Sequence, residues 1–238
     1  MLRLVADGWN DCQIARATSI NRSSIREWRT LGPPGRRRSG LAPENCPRCD
    51  GGQLDEPAYA YLLGLYLGDG YIDRQPRTYR FRVFQDQRYS LLIELVRLAI
   101  ARIRPSAKVS IVSQIGCVAV QSYWNHWPCL FPQHGPGRKH RRQIRFMAWQ
   151  RDIVSRYPRQ LLRGMIHSDG CRVMNQVQNR KYAYARYMFT NTSSDILQVF
   201  RDACDAIGVN HRNTNSRTIS VARRADVVAL DAFIGPKA

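Results

Sequence analysis

An internal repeat constrains this chain more than any other feature. Leu62-Leu63-Gly64-Leu65-Tyr66-Leu67-Gly68-Asp69-Gly70 matches Leu162-Arg163-Gly164-Met165-Ile166-His167-Ser168-Asp169-Gly170 at an offset of 100 residues, with the first Leu, the first Gly, the Asp and the final Gly identical. The segments after the two copies also correspond. Strand-like stretches with polar and aromatic residues come first (79–85 and 182–191). An amphipathic helix is next (91–103 and 195–207), then strands again (108–121 and 218–223) and a closing helix (146–155 and 226–233). Each half therefore reads helix, two strands, helix, two strands, helix, and a repeat of this kind has to bury its apolar face against its twin.

The spacing inside the repeat suggests how. Ala60, Gly64 and Gly68 lie four apart, as do Gly164 and Ser168, so each set shares one helix face. Small residues there let two backbones approach more closely than the ~8–10 Å of ordinary helix packing. Each helix ends in Asp-Gly, and Gly70 and Gly170 are read as left-handed stops. Asp69 and Asp169 would then meet at adjacent helix C-termini, where partial negative charge and mutual repulsion disfavour both. Hard divalent cations relieve such a clash, and Mg²⁺ prefers carboxylate and carbonyl oxygens. So placed, a cation can polarise a phosphodiester and supply hydroxide. The expected approach of the two carboxylates is roughly 4–8 Å. The alternative is two amphipathic helices with turn-forming ends and no chemistry. His167, one turn inside the second motif, is read as packed rather than as a ligand.

The partner follows from charge. Lys and Arg number 37 against 18 Asp and Glu, a formal net charge of +19 spread along the whole length, with an isoelectric point near 10.4. Such a surface attracts a polyanion and releases its counterions, which points to double-stranded DNA rather than to a membrane. No apolar run is long enough to span a bilayer. The start lacks a secretory pattern and the seven cysteines are scattered, so a cytoplasmic, nucleoid-associated protein is expected.

With these residues in hand, the chain resembles the LAGLIDADG homing endonucleases of the two-motif, single-chain kind, over about residues 57–238. The resemblance implies an α+β fold of two pseudo-symmetric αββαββ(α) half-domains with saddle-shaped antiparallel sheets in the DNA major groove. It implies a monomer with internal pseudo-twofold symmetry and double-strand cleavage with Mg²⁺ or Mn²⁺. Asp69 and Asp169 become paired metal ligands, assisted by the carbonyls of Gly68 and Ser168. Gln85 matches a polar position that holds solvent around the metals, with Asn191 as its counterpart within about two residues. Arg223 fits a basic position at the end of the fourth strand. The first half has Ser122 or Tyr123 there, a departure that Lys139 or Arg142 could compensate.

DNA contacts are expected from Arg80 and Arg82, which alternate with Tyr79, Phe81 and Val83, and from Arg172, Arg180 and Arg186, the last two sharing a face with Tyr182 and Tyr184. Residues 124–146 have no counterpart in the second half. Their run Arg138-Lys139-His140-Arg141-Arg142, after a Gly/Pro turn, either crosses the phosphate backbone or is a solvated loop.

The proposed domains are 1–31, a helix-turn-helix; 32–56, a Pro/Gly/Arg-rich linker; 57–155, the first repeat; and 156–238, the second. In the helix-turn-helix, Thr18 to Asn21 form the turn, Ala15, Ile20, Ile25 and Trp28 a small core, and Asn21 or Ser23 the cap. Arg22, Ser24 and Arg26 face DNA, unless the unit is only a structural helical pair. Cys46-Pro47-Arg48-Cys49 supplies half of a zinc site. No second CxxC or His pair lies near in sequence, so zinc is not expected at Cys46 and Cys49 unless Cys12 or a distant His completes it. Two functions compete. The first is a free-standing endonuclease, since the chain lacks the terminal residues of an intein. The second is a regulator, because one bacterial family of sporulation and division regulators fuses a non-cleaving fold of this kind to a helix-turn-helix.

Overall fold

The computed structural model describes residues 4–5, 7–31, 46–177, 182–235 and 237. The chain divides into two compact units, residues 1–44 and 45–238. In the smaller, α1 (Asp11–Thr18) and α2 (Arg22–Leu31) pack together. Asn10 caps α1 in a reciprocal capping box with Gln13, and Ser19 ends it in the left-handed conformation. The Asn21 side chain accepts from the Ser23 amide at 3.1 Å. Ile14 and Ile25 are fully buried, whereas Ala15, Ile20 and Trp28 are only partly so. Ile14 is thus the core residue that the spacing of Ala15 and Ile20 overlooks.

The larger unit runs α3 (Glu56–Asp69), β1 (Gly70–Gln75), β2 (Thr78–Asp86), α4 (Ser90–Ile103), β3 (Val109–Gln114), β4 (Cys117–Tyr123), α5 (Trp127–Leu130), α6 (Ala148–Arg156), α7 (Pro158–Asp169), β5 (Gly170–Val177), β6 (Tyr182–Thr190), α8 (Ser194–Ala206), β7 (Arg212–Asn215), β8 (Thr218–Val221) and α9 (Arg224–Ile234). The strands form two four-stranded antiparallel sheets of the same order, β1-β2-β4-β3 and β5-β6-β8-β7. One continuous apolar core, drawn from both halves, lies beneath them. Helix α3 is apolar on every side, and all residues from Ala58 to Leu67 are buried, as expected of a helix enclosed by other elements. No helix among the described residues is long and apolar enough to cross a membrane.

Helices α3 and α7 pack directly on each other, and glycine makes this possible. A Cβ at Gly164 would run into the Tyr61 carbonyl and lie 2.9 Å from the Leu65 nitrogen. One at Gly64 would strike the Leu161 carbonyl and lie 2.8 Å from the Met165 nitrogen. The backbones therefore touch. His167 clasps the seam. Its Nε2 lies 2.9 Å from the Ile234 carbonyl, which can only accept, so Nε2 carries the proton and Nδ1 accepts from the Tyr61 hydroxyl at 2.9 Å. Burial holds this histidine neutral, its pKa lowered to about 4.

Two expectations change. Gly70 and Gly170 are not left-handed stops, because both are extended (φ −85° and −103°) and begin the next strand directly. Glycine is needed there because a Cβ would press on the helix just left, 2.8 Å from the Tyr66 ring in one half and 2.6 Å from Ile166 Cα in the other. The segment 46–56 is also not a linker. Cys46 is fully buried, Asp55 caps α3 through the Ala58 amide at 2.9 Å, and the segment belongs to the larger unit. Residues 32–45 lie outside the described set.

Candidate active site at the paired helix ends

Because α3 and α7 touch along their glycines, their C-terminal acids emerge side by side. A Cβ on Gly68 would lie 3.0 Å from the Asp169 carboxyl carbon, so the acid of one half rests against the residue preceding the acid of the other. Both carboxyls are half-buried. Burial raises the Asp69 pKa to about 6, with repulsion from Asp169 adding to it and Lys139 and Lys237 opposing it. Burial also raises that of Asp169, opposed chiefly by a hydrogen bond from Asn191. These are two acids held against their electrostatic preference.

Two lysines answer them with matching geometry. Lys139 Nζ donates to the carbonyls of Tyr66, Leu67 (2.9 Å) and Gly68 (2.6 Å). Lys237 Nζ donates to those of Ser168 (2.9 Å) and Gly170 (2.7 Å). Each ammonium thus caps the negative end of its own half's motif helix. Their strongest charge partners cross over, Asp169 for Lys139 and Asp69 for Lys237. Burial lowers the Lys139 pKa to about 8 against the pull of both acids, and lowers that of Lys237 in the same way.

Strand register places the supporting amides. Gly70 pairs with Val83 and Gly170 with Phe189, so Gln85 and Asn191, each two residues further on, occupy equivalent positions. Asn191 Nδ2 donates to Asp169 at 2.6 Å, and its oxygen accepts from the Ser193 amide at 2.8 Å. Gln85 lines a cleft with Asp69 and Lys237, and its buried amide nitrogen has no hydrogen-bond partner among the described residues. Asp169, Asn191, Lys139 and Arg138 line a second cleft.

Of the residues expected at the site, the structure brings together Asp69, Asp169, Gly68, Ser168, Gln85, Asn191 and Lys139, but not Arg223. That arginine opens α9 with its side chain 71% exposed, 3.9 Å from Asp226. Strand β8 ends at Val221, two residues too early to aim position 223 at the acids. Lys237 is there instead, after Gly235 (φ +75°) turns the chain back beyond α9. A signal for it exists in the sequence. Gly135-Pro136 stands shortly before Lys139 and Gly235-Pro236 just before Lys237, and the two Gly-Pro pairs share the offset of 100 seen in the main motif.

The basic residues divide. Arg80 and Arg82 both reach Asp73, at 3.0 and 2.9 Å, so they share a face as alternation requires but are paired. Arg172 is held by Asp231 at 2.8 and 2.9 Å. Arg142 ties down the turn it follows, donating to the carbonyls of Gly135, Pro136 and Gly137. Arg138 and Arg141 are exposed, and Arg186 is partly buried. Arg180 lies outside the described residues. In the smaller unit Arg22 is exposed and Ser24 partly buried; Arg26 lies 4.0 Å from Asp11. The 124–146 insertion is not simply a loop. Trp127, Leu130, Phe131 and Ile144 are buried in it, and this packing supports Lys139.

Two touching motif helices, each leading into a four-stranded antiparallel sheet, define the two-repeat LAGLIDADG-like fold. Solved structures carry the same likeness. The crystal structure of I-DmoI in complex with DNA and Ca aligns over 76% of this chain and 91% of that one, with a TM-score of 0.50 and 15% identity. I-DmoI with DNA and Mn aligns over 76% and 98% (TM-score 0.47, 13% identity). The N-terminal LAGLIDADG domain of DUF199/WhiA aligns over 76% and 82% (TM-score 0.46, 16% identity). No protein-family model matches the chain, and no curated protein sequence matches it significantly.

Proposed function

We propose that this protein is a metal-dependent endonuclease that cuts both strands of DNA, with Asp69 and Asp169 at its centre. What supports this is the gathering of Asp69, Asp169, Lys139 and Lys237 at the paired helix ends. A binding surface has no need of two half-buried acids forced together, and retaining them is unfavourable for stability. The donor set fits a hard divalent cation, being all oxygen: two carboxylates and the carbonyls of Gly68 and Ser168. The unpartnered amide of Gln85 suits a hydrated ion better than a dry core. These residues would hold Mg²⁺ or Mn²⁺, whose contribution is to lower the pKa of bound water and polarise the phosphoryl oxygen. Asn191 fixes the orientation of Asp169. Lys139 and Lys237 oppose the upward shift of the acids and supply positive charge where the transition state gathers negative charge. The net charge of +19 brings the polyanion to the site.

The test uses purified protein and a plasmid library, with and without Mg²⁺. Linear products that need the ion, and vanish in Asp69→Asn while gel-shift affinity persists, support the proposal. DNA binding with no breaks under any divalent ion would instead favour a regulator on an inherited nuclease fold.

A further inference from the structure

Away from the paired acids, the structure completes the half-site that the sequence left at Cys46 and Cys49. His126 and Cys129, on the insertion found only in the first half, come round to meet them. One ligand atom from each of the four residues lies within 4.8 Å of every other. The individual separations are those of a coordination shell: Cys49 Sγ to Cys129 Sγ is 3.4 Å and Cys129 Sγ to His126 Nδ1 is 3.7 Å. Zinc–sulfur bonds of about 2.3 Å place tetrahedral neighbours roughly 3.8 Å apart, whereas a disulfide needs about 2.05 Å. All seven cysteines are free thiols.

The local backbone is shaped for this task. The Cys46 carbonyl accepts from the amides of Asp50 (2.9 Å) and Gly52 (3.3 Å), and the Cys46 amide donates to Asp50 at 2.9 Å. That folds Cys46-Pro47-Arg48-Cys49 into a tight knuckle. The second pair, His126 and Cys129, lies across the start of α5, where Trp127 is fully buried and anchors the turn by donating to the Ser122 carbonyl at 3.2 Å.

We infer that Cys46, Cys49, His126 and Cys129 form a structural zinc site that staples the segment before α3 to the 124–146 insertion. Three thiolates and one imidazole select a soft or borderline metal, and four protein ligands leave no open position for catalysis. The ion is thus of a different class from the one proposed at the paired acids and shares no ligand with it. The staple ties down both ends of the local architecture, the approach to the first motif helix and the insertion that carries Lys139.

Full-length protein, passed over a chelating resin, should retain about one zinc per chain by plasma mass spectrometry. Cys49→Ser and Cys129→Ser should each lose it, while Cys171→Ser, an exposed thiol elsewhere, and Asp69→Asn should keep it. Because a ligand variant can misfold, the wild-type chain supplies a second readout. Stripped and reloaded with Co²⁺, it should show thiolate-to-metal charge transfer and the visible bands of a tetrahedral site. No retained zinc together with no such cobalt spectrum would overturn the assignment. So would an intact mass two daltons low, with Cys49 and Cys129 in one linked peptide, since that pair would then be a disulfide.

Discussion

Replacing Asp69 by Asn should make the protein more stable and cleavage-dead in one step. Lifting the Asp69 carboxyl from its ordinary 3.8 to about 6 makes its ionised form roughly 3 kcal/mol less favourable in the folded chain than in water, at ~1.4 kcal/mol per tenfold change in proton affinity. An amide of the same shape removes that penalty. That figure already includes the opposing pull of Lys139 and Lys237, so about 3 kcal/mol is the upper bound on the gain. For a folded unit of this size that is a rise in Tm of up to roughly 6–12 °C. The pH dependence carries the signature. The folded chain binds the Asp69 proton more tightly than the unfolded chain does, so wild-type stability falls as pH rises from about 4 to about 6 and stays lower above. The variant's advantage should therefore be full at pH 7 and disappear below pH 4. Differential scanning calorimetry in chelator across that range measures it, with plasmid cleavage in Mg²⁺ alongside. A variant less stable than wild type at pH 7, or an advantage independent of pH, would show that the acids are not held together against repulsion and burial.

Three further outcomes follow from the same geometry. Gly164→Ala should destabilise the protein by about 3 kcal/mol or more in urea unfolding, because its methyl group meets the α3 backbone, which cannot move aside as a side chain would. His167 is neutral in the fold, with its pKa lowered from 6.5 to about 4, so its contribution is whole above pH 6.5 and lost as pH falls toward 4. His167→Gln, compared with wild type at pH 7 and pH 5, should remove about 2 kcal/mol of acid sensitivity. Lys237→Met should slow cleavage on the order of 100-fold with little change in gel-shift affinity, whereas Arg223→Met should leave cleavage near wild type.

Much of this is legible in the sequence, because a repeat carries its own control. The matched motifs locate α3 and α7, and the small residues at Gly64, Gly68, Gly164 and Ser168 announce a close seam. The period-2 run around Arg80 and Arg82 marks β2 and the shared face on which both arginines meet Asp73. The features that escape depend on returns of the chain that local pattern does not encode. Lys237 reaches the site only because Gly235 turns the chain back past α9, and Arg223 suits the role only by its distance along the chain. His126 and Cys129 lie some 80 residues from Cys46 and Cys49, and no spacing rule joins two half-sites across a folded repeat. The role of Gly70 and Gly170 is hidden because Asp-Gly after a helix usually signals a left-handed stop, whereas here the constraint is steric, from the helix each glycine leaves.

We expect Asp69 and Asp169, one from each repeat, to share a single cation-binding centre. Mn²⁺ binding to the DNA-bound, chelator-stripped protein, monitored by electron paramagnetic resonance, tests it most directly. Wild type should bind Mn²⁺ tightly, each of Asp69→Asn and Asp169→Asn should weaken it, and the double variant should abolish it with DNA still bound. Undiminished Mn²⁺ binding by the double variant would mean that these two acids hold no cation.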